Sequence, residues 1–171
     1  MMRAIKILSI LGLMISNELI GQSGYSLNNL PNPGDFPAHR PPSFSAKGIQ
    51  DLLFPMNKDL ITTLQSQYNK GANFAGHYTV VSIGCGEDCE TLWIFNPKTG
   101  DIISHVISHY GSQYSLLSKL LVVNTPSAEA KGYYNISRFS PYWQNLQTEY
   151  YVIDGNSLRQ IFKVPMAELL K

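Results

Sequence analysis

The chain has 171 residues with a formal net charge of +1, and only 15% of its residues are charged. That length suits one compact domain. The near-neutral balance, with no basic stripe or acidic tail, argues against a nucleic acid or an anionic membrane surface as partner.

The first residues read as a secretory signal. Arg3 and Lys6 form a basic head, Ile7 to Ile15 an apolar run, and residues 16–23 a polar stretch suited to cleavage. The apolar run is shorter than the ~20 residues a transmembrane helix needs, and no cysteine lies nearby to carry a lipid anchor. Residues 1–22 are therefore assigned as a signal peptide, and the expectation is a soluble periplasmic or secreted protein without a membrane anchor. Cleavage removes Arg3, Lys6 and Glu18 from totals of 13 basic and 12 acidic residues, leaving 11 of each.

Residues 23–56 form a proline-rich, irregular arm. Five of the ten prolines fall between Pro31 and Pro42, and each removes a backbone donor and fixes φ. Residues 57–171 are the expected globular part. Leu60, Ile61, Leu64 and Tyr68 recur at helical spacing, with Asn57 as a possible cap and Gly71 beyond the end, which predicts an amphipathic helix over 57–69.

Strands follow. Val80–Ile83, Leu92–Phe95 and Ile102–Ser108 are rich in β-branched and aromatic residues and are joined by short turns, as in an antiparallel meander. "LLSKLLVVN" predicts a strand over 119–124, with a helical turn before it as an option. Residues 125–147 read as a long aromatic connection. Tyr150–Ile153 and Leu158–Val164 read as a hairpin around Asp154-Gly155-Asn156, and Pro165 opens a short helix. The fold class is α+β: one domain, mainly antiparallel sheet (meander plus hairpin), with an N-terminal amphipathic helix.

The segment "NFAGHYTVVSIGCGEDC", with "NPKTGDII" and "YYVIDGNSL" after it, resembles a group of small exported bacterial proteins. The likeness covers about residues 60–162, with Ile83 standing where such proteins often carry an aromatic. It implies a compartment and a shape, and no activity.

The two cysteines, Cys85 and Cys89, flank three residues at the end of a predicted hairpin. An exporting route oxidises thiols, so a structural disulfide is the expectation. A nucleophilic or redox cysteine fails on spacing and on the lack of a nearby base. Zinc on Cys85, Cys89, His77 and Asp88 would need a further ligand pair that the sequence does not supply.

His77 alternates with Thr79 and Val81 on one face of the predicted strand. It is either a half-buried imidazole satisfied by a carbonyl or a ligand contact on the sheet. Glu87 and Asp88 sit at the loop tip, where adjacent carboxylates are ordinarily solvated. Seven of the nineteen aromatics crowd residues 133–151. Tyr133, Tyr134, Arg138, Tyr142 and Trp143 are types that dominate interface hot spots, whereas Tyr150 and Tyr151 suit a core.

Enzyme and cofactor fingerprints are missing: no phosphate loop, nucleophile elbow, zinc-protease helix or dinucleotide motif. The leading expectation is an exported binding or inhibitory module without cofactor or metal. It would present the cysteine loop and the aromatic connection to a protein or cell-wall partner, for instance as an immunity protein. The rival is a small periplasmic hydrolase using His77 with Glu87 or Asp88.

Overall fold

A computed structural model describes residues 24–41, 45–49, 58–86, 89–137 and 144–171. The segment expected to be a signal peptide, Glu87, Asp88, Arg138, Tyr142 and Trp143 lie outside these residues. Two antiparallel sheets build an α+β domain. One has three strands, β1 (Thr79–Gly86), β2 (Cys89–Asn96) and β3 (Asp101–Ser108), in the order β1-β2-β3. The other has four, β4 (Ser112–Ser115), β5 (Ser118–Val123), β6 (Gln147–Asp154) and β7 (Ser157–Pro165), in the order β4-β5-β6-β7. Helices α1 (Lys58–Tyr68), α2 (Ala128–Ser137) and α3 (Met166–Leu169) complete the described elements. Among the described residues no helix is long and apolar enough to cross a membrane.

Strand periodicity sorts the side chains into layers, because successive residues point to opposite faces. Val80, Leu92 and Ile94 of the first sheet meet Leu121, Val123 and Ile153 of the second, forming the central core with Phe74, Ala75 and Tyr78. On the outer face of the first sheet, Val81 and Phe95 pack against Leu64 and Tyr68 of α1. On the outer face of the second, Leu120, Val122, Tyr150 and Val152 are covered by Tyr25, Leu30 and Phe36. The unbroken "LLVV" of β5 follows from this, since a strand covered on both faces loses its polar alternation.

The proline-rich stretch is irregular, apart from a three-residue 3-10 turn at Pro33–Asp35 capped by Asn32, yet it is docked. Phe36 accepts a hydrogen bond from the Lys119 amide at 2.8 Å, and the Ala38 amide donates to Leu117 at 2.9 Å. The Ser118 hydroxyl donates to the Pro33 and Phe36 carbonyls. These bonds lay residues 33–38 beside the start of β5.

Helix α1 matches the predicted span closely. Two elements were not expected. Polar β4 occupies residues 112–115, and α2 runs through the first part of what read as an aromatic connection. The free side of β1 is closed by α1 and its exit. Asn73 exchanges two side-chain bonds with the Val80 backbone, at 2.7 and 2.9 Å, and Gln67 donates to the Ser82 carbonyl. An edge strand is thereby denied to other chains.

Candidate functional site

The strand predicted from His77 onward starts two residues later, at Thr79. The chain reverses before it: Ala75 has φ +46° and Gly76 φ +83°. Phe74 and Tyr78 form an isolated bridge across this turn. His77 therefore projects from a tight turn and does not share a strand face with Thr79 and Val81. A non-glycine residue held at positive φ costs on the order of 1–3 kcal/mol and persists only where surrounding packing fixes it.

That packing is visible. The Ala75 and Gly76 amides donate to the Ser115 and Leu116 carbonyls at 3.0 and 2.7 Å, bolting the turn to the β4–β5 connection. A Cβ on Gly76 would lie 2.2 Å from the His39 carbonyl oxygen, so only glycine admits the docked arm. The Tyr78 hydroxyl donates to the Gly155 carbonyl at 2.7 Å, tying in the β6–β7 turn.

Four segments distant in sequence thus enclose one cleft of about 290 Å³. Its lining comprises His39, Ala75, His77, Tyr78, Lys119, Ile153 and Gly155. The His77 ring is half-buried and lies 4.0 Å from the Tyr78 ring between centroids. Burial, and then the Lys98 ammonium, lower its pKa from the ordinary histidine value. Burial, and then the charge of Asp154, raise the Tyr78 phenol. His39, Lys119 and Tyr78 were not singled out from the sequence. The signal available was Gly76 within a strand-like run, which marks a close backbone approach.

The opposite end of β1 carries the cysteines. Cys85 and Cys89 are disulfide-bonded with Cα atoms 5.2 Å apart. Cys85 occupies a register irregularity, so that Gly86 rather than Cys85 pairs with Cys89. Burial falls along β1 from Thr79, 1% exposed, to an exposed Cys85 and Gly86. At ~3.3 Å per residue, this eight-residue strand holds its two ends roughly 20 Å apart. The hairpin end that flanks Glu87 and Asp88 is accordingly remote from His77.

Next to the stapled end, Glu90 accepts hydrogen bonds from Ser82 and Ser112. Ser112 follows the turn at Ser108–Gly111, whose hydroxyl-to-carbonyl bond spans 2.7 Å. On that turn the Tyr110 ring lies 6.3 Å from the ring of Tyr133 on α2. Tyr133 is 51% exposed. Tyr134 is half-buried against Ala130, Leu146, Met166 and Leu170. Tyr150 is buried in the outer core of the second sheet. Tyr151 packs on the central core and donates its hydroxyl to Glu149. The described members of the aromatic cluster therefore divide into an exposed Tyr133, half-buried Tyr134 and Tyr151, and a buried Tyr150.

Across the outer face of the first sheet, Trp93 stacks on His105 at 5.0 Å. His105 lies on β3, in keeping with the Ile/Val pattern around it. Among the described residues no group of three or more His, Cys, Asp or Glu is arranged to hold a metal ion. Compared with known proteins, the chain matches no family model, and no curated protein or solved structure is detectably similar to it.

Proposed function

We propose that this protein is an exported binding or inhibitory module whose recognition surface is the stapled end of the domain. The observation that supports the reading is a convergence. The Cys85–Cys89 hairpin and the exposed Tyr133 of α2 flank the same 108–111 turn, linked to it through Glu90–Ser112 and Tyr110–Tyr133. A hairpin closed by a disulfide keeps its shape without a surrounding core, and a rigid exposed tyrosine supplies contact area at low entropic cost. The leader-like first residues and the disulfide both suit an oxidising compartment. A protein or cell-wall component of the envelope is the partner, and immunity against a secreted toxin is one form of that role.

The test is a pull-down from cell-envelope extract, followed by mapping of the captured partner on the chain by hydrogen exchange. Protection should fall on Gly84–Thr91 and on α2, and Tyr133→Ala should weaken capture by about tenfold or more, as for a hot-spot aromatic. Protection elsewhere would contradict the assignment. Hydrolysis by His77 with Glu87 or Asp88 gains no support from the separation along β1. Turnover of ester or cell-wall substrates that vanishes in His77→Gln would overturn the binding reading.

A further inference from the structure

We propose that β3 is a docking edge for a second copy of this chain, which adds its own β3 antiparallel across a two-fold axis and joins the two three-stranded sheets into one. A strand at a sheet edge carries a row of unpaired amides and carbonyls, and stable proteins cover, shorten, charge or interrupt such edges. The two sheets have their edges at β1, β3, β4 and β7. Three of these are protected. β1 is closed by Gln67 and Asn73. β4 is only four residues long, and the Ser115 carbonyl at its end accepts the Ala75 amide. β7 carries exposed Arg159 and Lys163 and ends on Pro165.

β3 lacks these devices over most of its length. It reads DIISHVIS, with its one acidic residue, Asp101, at the start and no lysine, arginine or proline. A register irregularity leaves Ile103 without a partner on β2, and beyond it residues 104–108 pair regularly with 90–94. Among the described residues the backbone of 102–108 is hydrogen-bonded only to β2. Its other row of amides and carbonyls is therefore open to a further strand. Ile107 beside that row is 53% exposed, and His105 is exposed with its ring stacked on Trp93 of β2.

The occupant is a second copy because this edge is complementary to itself. The regular stretch 104–108 has its centre at Val106. A two-fold axis there sets Val106 against Val106, His105 against Ile107 and Ser104 against Ser108 of the other copy. With histidine neutral, no charged side chain lies opposite another. A formal net charge of +1 adds little repulsion between copies. The contact is also closed, since each copy spends the same edge and none is left to propagate a fibre. Glu90 pairs with Ser108, so the axis carries the two stapled hairpins to opposite ends of the joined sheet. Pairing one short edge buries less than a standard interface, which places the dimer in the micromolar range.

The experiment is sedimentation of the oxidised, folded protein from ~1 to ~500 µM, with amide exchange measured at both extremes. The mass should rise from monomer to dimer, and amides of residues 102–108 should exchange more slowly in the concentrated sample. Ile107→Lys brings two cations within about 7–8 Å diagonally across the axis and should weaken the dimer about tenfold or more. An equimolar mixture of Ile107→Lys and Ile107→Glu should associate more tightly than either variant alone, because opposite charges then meet. The exchange comparison uses the unaltered chain and stands even if a variant folds poorly. A monomer at every concentration overturns the proposal and leaves the edge to a strand of another protein. So does a dimer that Ile107→Lys leaves intact, a mixture that associates no better than its parts, or exchange at 102–108 that ignores concentration. The assay contains this chain alone, so its outcome is separate from that of the envelope partner at the stapled end.

Discussion

The two ends of β1 are held in shape by different means. At the Thr79 end the chain is buried, and backbone contacts from the docked arm, the β4–β5 connection and the β6–β7 turn converge on residues 74–78. At the Gly86 end the strand runs out of the core into solvent, and a covalent bond takes over where packing stops. Loop-closure entropy for so short a ring gives only ~2 kcal/mol, whereas displacing the tightly packed buried turn costs more. The two ends therefore tolerate change unequally: Gly76 at the first has no room for a Cβ, whereas Gly84 at the second does.

A pair of glycine substitutions strains this contrast hardest. Gly76→Ala places a methyl 2.2 Å from a backbone carbonyl at φ +83°, so strain and displacement together should cost about 3 kcal/mol or more. Gly84→Ala meets only the Cys89 carbonyl oxygen at 3.9 Å, and should change stability by no more than ~0.5–1 kcal/mol. Urea denaturation of both variants reads the difference directly, and similar losses at the two positions would erase it.

Replacing Cys85 and Cys89 by Ser is the next largest effect, at about 2 kcal/mol or less in the same assay. Intact mass after alkylation without reductant should find no modified thiol in the folded, disulfide-bonded protein. A loss well beyond ~2 kcal/mol would mean that the staple supports the core, contrary to the burial gradient along β1.

A pH series sharpens the buried end. The lowered pKa of His77, from burial and then Lys98, means that the folded state resists protonation more than the unfolded chain. Stability is therefore full above the unfolded value near 6.5 and declines as pH falls from there through the folded pKa. Thermal melts between about pH 7.5 and 5 should show this decline, reduced in His77→Gln. Tyr78, Tyr114 and Tyr150 are shifted the other way, each first by burial. They should ionise only well above about pH 10, visible as delayed tyrosinate absorbance, and alkaline stability should fall as the unfolded chain ionises first. The smallest effect belongs to Tyr133→Ala on the exposed face of α2, within ~0.5 kcal/mol. A sharp drop in melting temperature would instead place that ring in the core.

The sequence disclosed the parts of this fold that rest on local pattern. Val80–Ile83 and Leu92–Phe95 carry β-branched and aromatic residues, and cysteine number with spacing marked the bridge before any geometry was known. Polar β4, "SQYS", offers no apolar alternation and is a strand only through its partners on β5. In α2, Gly132 and the adjacent tyrosines weaken the helical signal, and burial of Ala130 against Met166 and Leu170 supplies what propensity lacks. The docking of the arm passes through the Pro33 and Phe36 carbonyls, which leave no trace in composition. The cleft was illegible for the same reason. His39, Lys119 and Gly155 meet His77 only after both sheets and the arm have assembled, and only Gly76 hinted at that approach.

Whether the two ends are held independently is read by hydrogen exchange before and after reduction of the disulfide. The Ala75 and Gly76 amides, bonded to Ser115 and Leu116, should keep their protection in the reduced protein. The amides of the exposed Gly84, Cys85 and Gly86 should exchange faster. Loosening at both ends on reduction would refute their independence, because the buried turn would then depend on the staple that lies a strand's length away.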